Sequence, residues 1–159
     1  MAAIKKVCVE AHQVNGFKIE TNSRGHIALV DQPLAGGGTD AGPTPLEYLF
    51  ISLAGCIVTI GHIIAKQKHL PVRGIQVNIE GELDTDVLMG KNGEDRAGFS
   101  AIRVITQIDA DMTLEEKEQF LHEIDARCPI SDNILNLTPI EFIVEEKFEY
   151  SRNRSDESK

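Results

Sequence analysis

The stretch Gly36–Leu70, GGGTDAGPTPLEYLFISLAGCIVTIGHIIAKQKHL, decides how the rest of the chain can fold. A glycine-rich loop leads into Thr44, and Pro45 follows at the first helical position, where its missing N–H costs nothing. Thr44 and Glu47 have the spacing of a capping box, in which each side chain binds the other residue's backbone N–H. We therefore predict a long helix that begins at Pro45 and ends before Pro71, because proline cannot continue it.

This helix has no charged side chain from Tyr48 to Ala65, so we predict that it is buried on most of its faces. The uncharged run is 18 residues long, which reaches the lower limit for a membrane span. It also contains Ser52, Thr59 and His62, and no other segment resembles a span. We interpret it as the buried central helix of a globular domain, and a membrane-anchored protein is kept as a third hypothesis.

The composition is that of one acidic globular domain. The 159 residues include 25 Asp and Glu against 16 Lys and Arg, for a formal net charge of −9. That charge disfavours nucleic acid and anionic membranes as partners. The N-terminus lacks the apolar core of a secretory signal, and three cysteines do not indicate a disulfide framework. We therefore predict a cytoplasmic protein, kept in a reducing compartment.

Strands are predicted on both sides of the central helix, from alternating apolar residues and turn signals such as Asn15-Gly16. The order of strands and helices is typical of an α+β fold, with one domain over residues 1–150 and a disordered tail over 151–159. The predicted elements are an N-terminal β-meander with strands at 4–12, 17–21 and 26–31, strands at 73–83 and 99–108, a second helix from 113, a short helix at 130–137 and an edge strand at 140–150.

Two cysteines are the candidates for chemistry. Cys56 lies in the middle of the uncharged helix, and Cys128 precedes Pro129, where it can be the N-cap of the short helix that follows. At such a position a sulfur faces free backbone N–H groups, which favour the thiolate. The alternative for each is a small buried apolar residue, as free cysteines usually are. Cys8 falls on the polar face of the predicted first strand and has no recognisable partner.

Neither Glu47 nor His62 is a local partner for Cys56. Glu47 precedes Cys56 by nine residues, about two and a half helical turns, so the two side chains face opposite sides about 13 Å apart along the axis. His62 also points to a different face, which gives no support to a Cys–His nucleophile pair. The histidines have no metal-ligand spacing with the cysteines, and we predict neither a metal nor a cofactor.

The segments GGGTDAGPTPLEYLFISLAGC at 36–56 and RCPISDNIL at 127–135 together resemble the OsmC/Ohr family of osmotically induced and organic hydroperoxide resistance proteins. The resemblance extends from about residue 24 to residue 144. It implies an α+β fold in an intertwined homodimer, with two long helices buried at its centre and active sites at the subunit interface. It also implies that Cys56 is the peroxidatic thiol and Cys128 the resolving thiol. Cys56 would form a sulfenic acid that condenses with Cys128 to a disulfide.

Two further residues are candidates for supporting roles. Well-characterised hydroperoxide reductases of the family carry a glutamate one position earlier than Glu47, where this chain has Leu46, so its spacing is more similar to the OsmC-like branch. Arg24 is a candidate partner for the thiolate, and the alternative is that it is a turn residue before Gly25.

The leading hypothesis is a thiol-dependent peroxidase that reduces organic or hydrogen peroxides through Cys56 and Cys128. Its predicted partners are a second copy of the chain, a peroxide substrate and an unidentified thiol reductant, with neither nucleic acid nor membrane. The alternative hypothesis is a non-catalytic dimer of the same fold that holds a small apolar ligand in its interface pocket.

Overall fold

A computed structural model describes residues 3–91 and 93–146, which form five strands, four α-helices and one 3-10 turn. The 3-10 turn is Leu34–Gly36. The other elements, in chain order, are β1 (Glu10–Asn15), β2 (Lys18–Ser23), β3 (His26–Val30), α1 (Pro45–Lys68), β4 (Val72–Glu82), α2 (Thr85–Leu88), β5 (Ala101–Ala110), α3 (Leu114–Arg127) and α4 (Pro129–Leu135). This order confirms the predicted α+β fold with an N-terminal meander.

The strands form two antiparallel sheets. The first is the three-stranded meander β1-β2-β3, which reverses between its first two strands at Gly16 with φ of 54°. The second is the two-stranded sheet β4-β5, in which Val77 lies opposite Thr106. Helix α1 connects the two sheets in the chain and packs on the second.

The core lies on one face of α1. Its buried residues are Leu53, Ile57, Ile64 and Ala65 from α1, Phe120 and Ile124 from α3, and Cys128. Gly61 allows α1 to approach its neighbours closely, because a Cβ there would lie 2.5 Å from Ile75 Cδ1 and 3.0 Å from Ile124 Cδ1. Helices α3 and α4 and strand β4 therefore cover one side of α1.

Both predicted capping boxes are present. At α1, the Thr44 side chain accepts from the Glu47 N–H, and the Glu47 carboxylate binds the Thr44 N–H. Thr113 and Glu116 make the same pair of bonds at α3. Helix α1 ends at Lys68, and His69 closes it in the left-handed conformation with φ of 53°.

The prediction that α1 is buried on most faces is wrong for the single chain. Ile51 and Val58 are 51% and 39% exposed, because no element within residues 3–91 and 93–146 covers their side of the helix. Among the described residues, α1 alone has the length and apolar composition of a membrane-crossing helix. Its opposite face is nevertheless the core of the domain, so the apolar sequence already has a structural role.

Two predicted strands differ from the structure. The first strand begins at Glu10 rather than residue 4, so exposed Cys8 lies outside it. Residues 140–146 form no strand, and Phe142 and Val144 are 90% and 94% exposed. An alternating pattern forms a strand only where a neighbouring strand supplies hydrogen bonds, and none of the five described strands pairs with this segment. The rest of the predicted strand and the tail lie outside the described residues.

The glycine-rich loop before α1 is organised around a buried carboxylate. Asp31 accepts hydrogen bonds from the backbone N–H groups of Gln32, Thr39 and Ala41 and from the Thr39 hydroxyl. These hydrogen bonds stabilise the carboxylate and lower the pKa of Asp31 to about 2, and the bond from the Thr39 hydroxyl has the largest effect. The first turn of α1 is tied directly to β3, where the Tyr48 hydroxyl donates to Leu29 O at 2.7 Å. The start of α1 is therefore held against the meander.

We expect Gly38→Ala to destabilise the protein by roughly 2–4 kcal/mol. A Cβ at Gly38 would overlap the carbonyl oxygen of Gln32 and lie 2.8 Å from Asp31 Oδ1, so the backbone would have to move. The matched control is Gly36→Ala, because a Cβ there meets its nearest atom at an ordinary 3.5 Å. Urea unfolding monitored by circular dichroism measures both variants, and equal stability of the two would contradict this account of the loop.

Candidate functional site

The fold brings together two cysteines that are 72 residues apart in the chain. Cys56 lies in the middle of α1, Cys128 lies between α3 and α4, and their sulfur atoms are 2.6 Å apart. Both are free thiols. Cys128 is 1% exposed, whereas Cys56 is only partly buried. A disulfide bond is about 2.05 Å long, so a small movement would allow one to form.

Cys128 is held by the corner between two helices. Its backbone N–H donates to Asp125 O at 3.1 Å at the end of α3, and its sulfur accepts from the Ser131 N–H at 3.4 Å at the start of α4. Pro129 occupies the first helical position. The Ser131 hydroxyl also hydrogen-bonds the Asp125 carboxylate and so links the two helices. The prediction that Cys128 is an N-cap is confirmed.

The surroundings of Cys56 raise the pKa of its thiol. Burial is the largest cause, followed by the hydrogen bond with Cys128 and the like charge that Cys128 would carry. The backbone N–H of Ile130 acts in the opposite direction. Among residues 3–91 and 93–146, no lysine or arginine hydrogen-bonds either sulfur, and Arg127 instead pairs with Glu123 at 3.6 Å. These surroundings favour the protonated thiol of Cys56 over its thiolate in the single chain.

We expect the alkylation rate of Cys56 by iodoacetamide to rise through pH 8.5, the pKa of an ordinary cysteine, without reaching a plateau there. The reason is the raised pKa, since only the thiolate reacts. Peptide mapping after short exposures gives the rate at each pH. Cys128→Ala should shift the profile to lower pH, because it removes two of the three causes that raise the pKa. A wild-type midpoint below pH 8 would contradict the expectation.

Glu47 and Arg24 are not brought to the thiols in the single chain. The Glu47 carboxylate accepts from the Thr44 N–H at 2.7 Å and the Thr44 hydroxyl at 2.9 Å, and these bonds lower its pKa. Arg24 lies in the β2–β3 turn with φ of 57°, before Gly25. Within the part of the chain that the structure describes, neither side chain has a hydrogen bond or ion pair with Cys56 or Cys128. Glu47 caps a helix, and Arg24 has the position of a turn residue.

An apolar crevice of about 250 Å³ is lined by residues of α1, β5, α3 and α4. It includes Leu53 and Ile57, which flank Cys56 in α1, and also Asp125 and Ser131 from the corner that holds Cys128. Sequence reasoning did not identify these last two residues. The available signal for Ser131 was its place three residues after a predicted N-cap, where the backbone N–H meets the capping side chain.

Among the described residues, no group of three or more His, Cys, Asp or Glu side chains could hold a metal ion. The chemistry that the arrangement itself supports is that of two thiols. The two cysteines differ in exposure, and their sulfur atoms are close enough for a disulfide bond to form after a small movement.

Comparisons with known proteins agree with this architecture. The sequence profile of the family described as OsmC-like protein matches residues 37–143, more than half of the chain. No curated protein matches the sequence. Among solved structures, an OsmC-like protein from Mycoplasma pneumoniae has a TM-score of 0.73 at 19% identity, over 84% of this chain and 89% of that one.

Two other similar structures have more specific descriptions. One is an organic hydroperoxide resistance protein OsmC from Legionella pneumophila, with a TM-score of 0.64 at 18% identity over 84% of this chain and 91% of that one. The other is an organic hydroperoxide resistance protein from Elizabethkingia anophelis, with a TM-score of 0.62 at 17% identity over 84% and 90%. At these identities the likeness is one of fold.

Proposed function

Because the chain belongs to the OsmC-like protein family, we propose that it is a thiol-dependent peroxidase that reduces organic or hydrogen peroxides. The observation that carries the proposal is the 2.6 Å approach of the partly exposed Cys56 to the buried Cys128. The descriptions of the Legionella and Elizabethkingia proteins as organic hydroperoxide resistance proteins support the same chemistry.

Cys56 is the peroxidatic residue in this proposal because its sulfur is the more accessible of the two. Its thiolate attacks one oxygen of the peroxide, the O–O bond breaks, and an alcohol or water leaves after taking up a proton. Cys56 then carries a sulfenic acid. The Cys128 sulfur attacks the Cys56 sulfur, water leaves, and a disulfide forms. Two thiols and one peroxide thus give one disulfide, one alcohol and one water.

The environment of Cys128 suits the resolving step. The Ser131 N–H already binds its sulfur and would stabilise the attacking thiolate. The apolar crevice lined by Leu53, Ile57 and Ser131 favours an organic peroxide with an apolar substituent over hydrogen peroxide, because burial of that substituent adds binding energy. Glu47 and Arg24 remain candidates for supporting roles only if a second subunit brings them, or their counterparts, to the thiols.

One equivalent of cumene hydroperoxide tests the proposal directly. We expect the reduced protein to consume it and to acquire a Cys56–Cys128 disulfide, detected by peptide mapping under non-reducing conditions. An excess of dimedone added with the peroxide should trap the sulfenic acid on Cys56. Consumption without oxidation of Cys56, or no consumption at all, would overturn the proposal.

We also propose that the protein is a cytoplasmic homodimer in which a second copy covers the exposed face of α1. Ile51 and Val58 on this face, and Phe142 and Val144 in the C-terminal segment, expose apolar area that the single chain does not cover. The mass by light scattering should be about 35 kDa, twice the 17.5 kDa of the chain. A mass equal to the single chain would contradict the dimer.

A second candidate function is the non-catalytic binding of a small apolar ligand by the same dimer. The raised pKa of Cys56 and the absence of a hydrogen-bonded cation among the described residues favour it, because both disfavour the reactive thiolate. In that case Cys56→Ser would leave any peroxide consumption unchanged, and mass spectrometry of the native protein would detect a co-purified apolar molecule.

A further inference from the structure

We propose that the reductant which regenerates the enzyme attacks the Cys56 sulfur of the disulfide and releases Cys128 as the leaving group. The transient mixed disulfide is therefore formed on Cys56. The inference rests on the proposed function for the formation of the disulfide, and it concerns the reductive half of the cycle. It identifies the surface at Cys56 as the place that a thiol reductant must reach.

The two cysteines differ in how easily an external thiol can reach them. A thiolate breaks a disulfide by approaching one sulfur along the line of the S–S bond, so the attacked atom must be open to solvent on the side away from its partner. Cys128 is 1% exposed and is enclosed by the corner between α3 and α4. Cys56 is only partly buried. Because Cys56 is the less enclosed residue of the pair, an external thiolate reaches it more readily than it reaches Cys128.

The two cysteines also differ as leaving groups when the disulfide breaks. A disulfide breaks faster when the departing thiolate is more stable. Cys128 leaves into a prepared position, because its sulfur already accepts the Ser131 N–H and because the Ser131–Asp125 hydrogen bond holds that turn in place. Departure of Cys56 would instead create a thiolate at a position where burial raises the pKa of the thiol. Access and leaving-group stability therefore favour the same direction of attack.

The chemistry balances with two equivalents of a monothiol such as glutathione. The first thiolate forms a bond to the Cys56 sulfur, the S–S bond breaks, and Cys128 leaves as a thiolate. A second glutathione thiolate attacks the glutathione sulfur of the mixed disulfide and releases the Cys56 thiolate, which takes up a proton. The two glutathione thiols supply the two electrons that reduce the protein disulfide. The products are oxidised glutathione and a protein in which both cysteines are reduced.

The experiment uses the full-length Cys8→Ser protein, which lacks only the exposed third cysteine. Diamide forms the Cys56–Cys128 disulfide without any peroxide. Glutathione is then added in a rapid-mixing device, acid stops exchange within milliseconds to seconds, and peptide mapping locates the adduct. We expect at least a tenfold excess of adduct on Cys56 over Cys128, since burial removes the competing path. The same exchange in guanidinium chloride should distribute the adduct over both cysteines.

The outcomes separate this inference from the proposed function. Adduct on Cys128 in equal or greater amount in the folded protein would overturn the direction of attack and would leave the peroxidase proposal standing. A clear preference for Cys56 would support the inference even if peroxide failed to oxidise the protein, a result that would overturn only the proposed function. Failure of diamide to link the two sulfurs would overturn both.

Discussion

Replacing Cys56 by serine should lower the second-order rate of peroxide reduction by roughly 10³-fold or more, because the nucleophile is lost and no other thiol can take its place. Cys128 is 2.6 Å away but 1% exposed, so a peroxide cannot approach its sulfur. A stopped-flow or dye-based assay of cumene hydroperoxide consumption measures the rate.

Two matched variants make this result specific. Cys128→Ser should retain the first turnover and accumulate a sulfenic acid on Cys56, since only the disulfide-forming step is removed. Cys8→Ser should behave as the wild type, because Cys8 is exposed and lies outside the pair. Loss of the first turnover in Cys128→Ser would show that the two thiols react as a unit. Full activity in Cys56→Ser would contradict the peroxidase proposal.

Ile51→Glu should dissociate the proposed homodimer. Ile51 is 51% exposed in the single chain, so the folded monomer tolerates a glutamate, whereas the dimer would bury one unpaired carboxylate on each subunit. An uncompensated buried charge costs about 3–5 kcal/mol, so the dissociation constant should rise by roughly 10³-fold or more. Analytical ultracentrifugation across a concentration series would detect the change from about 35 kDa to the 17.5 kDa chain.

The control for this variant is Leu114→Glu. Leu114 is also an exposed apolar residue, 73% accessible, at the first position of α3, where a carboxylate suits the helix dipole. We expect it to remain dimeric, and circular dichroism should give the same helix content for both variants. Dissociation by Leu114→Glu, or persistence of the Ile51→Glu dimer, would place the interface on a different surface.

Features decided by neighbouring residues could be predicted well. The capping boxes at Thr44 and Thr113, the hairpin at Gly16 and the N-cap role of Cys128 were all predicted from spacings of a few residues, and the structure contains them. Each depends on a backbone N–H and a side chain that are close in the chain, so local sequence is sufficient. The α+β order follows from the same signals.

Features that need a partner from elsewhere could not be predicted in this way. The segment 140–146 has the alternation of a strand, yet it forms none in the single chain, because a strand needs a neighbouring edge. The uncharged sequence of α1 predicted burial on most faces, whereas the described part of one chain covers only the side that carries Leu53 and Ile64. Apolar residues predict that a surface is buried, but they do not identify the element or subunit that buries it.

The candidate site also combines features that local sequence determines with features that depend on tertiary packing. The sequence by itself determined where each thiol stands, with Cys56 in the middle of a long helix and Cys128 at the start of a short one, and the resemblance of the two motifs pointed to their pairing. Only the tertiary structure decided that their sulfurs lie 2.6 Å apart, that Cys128 is enclosed while Cys56 is only partly buried, and that Asp125 and Ser131 hold the corner. The physical reason is that local hydrogen bonds set the position of a residue within its element. The distance and exposure of two groups 72 residues apart instead depend on how α1, α3 and α4 pack.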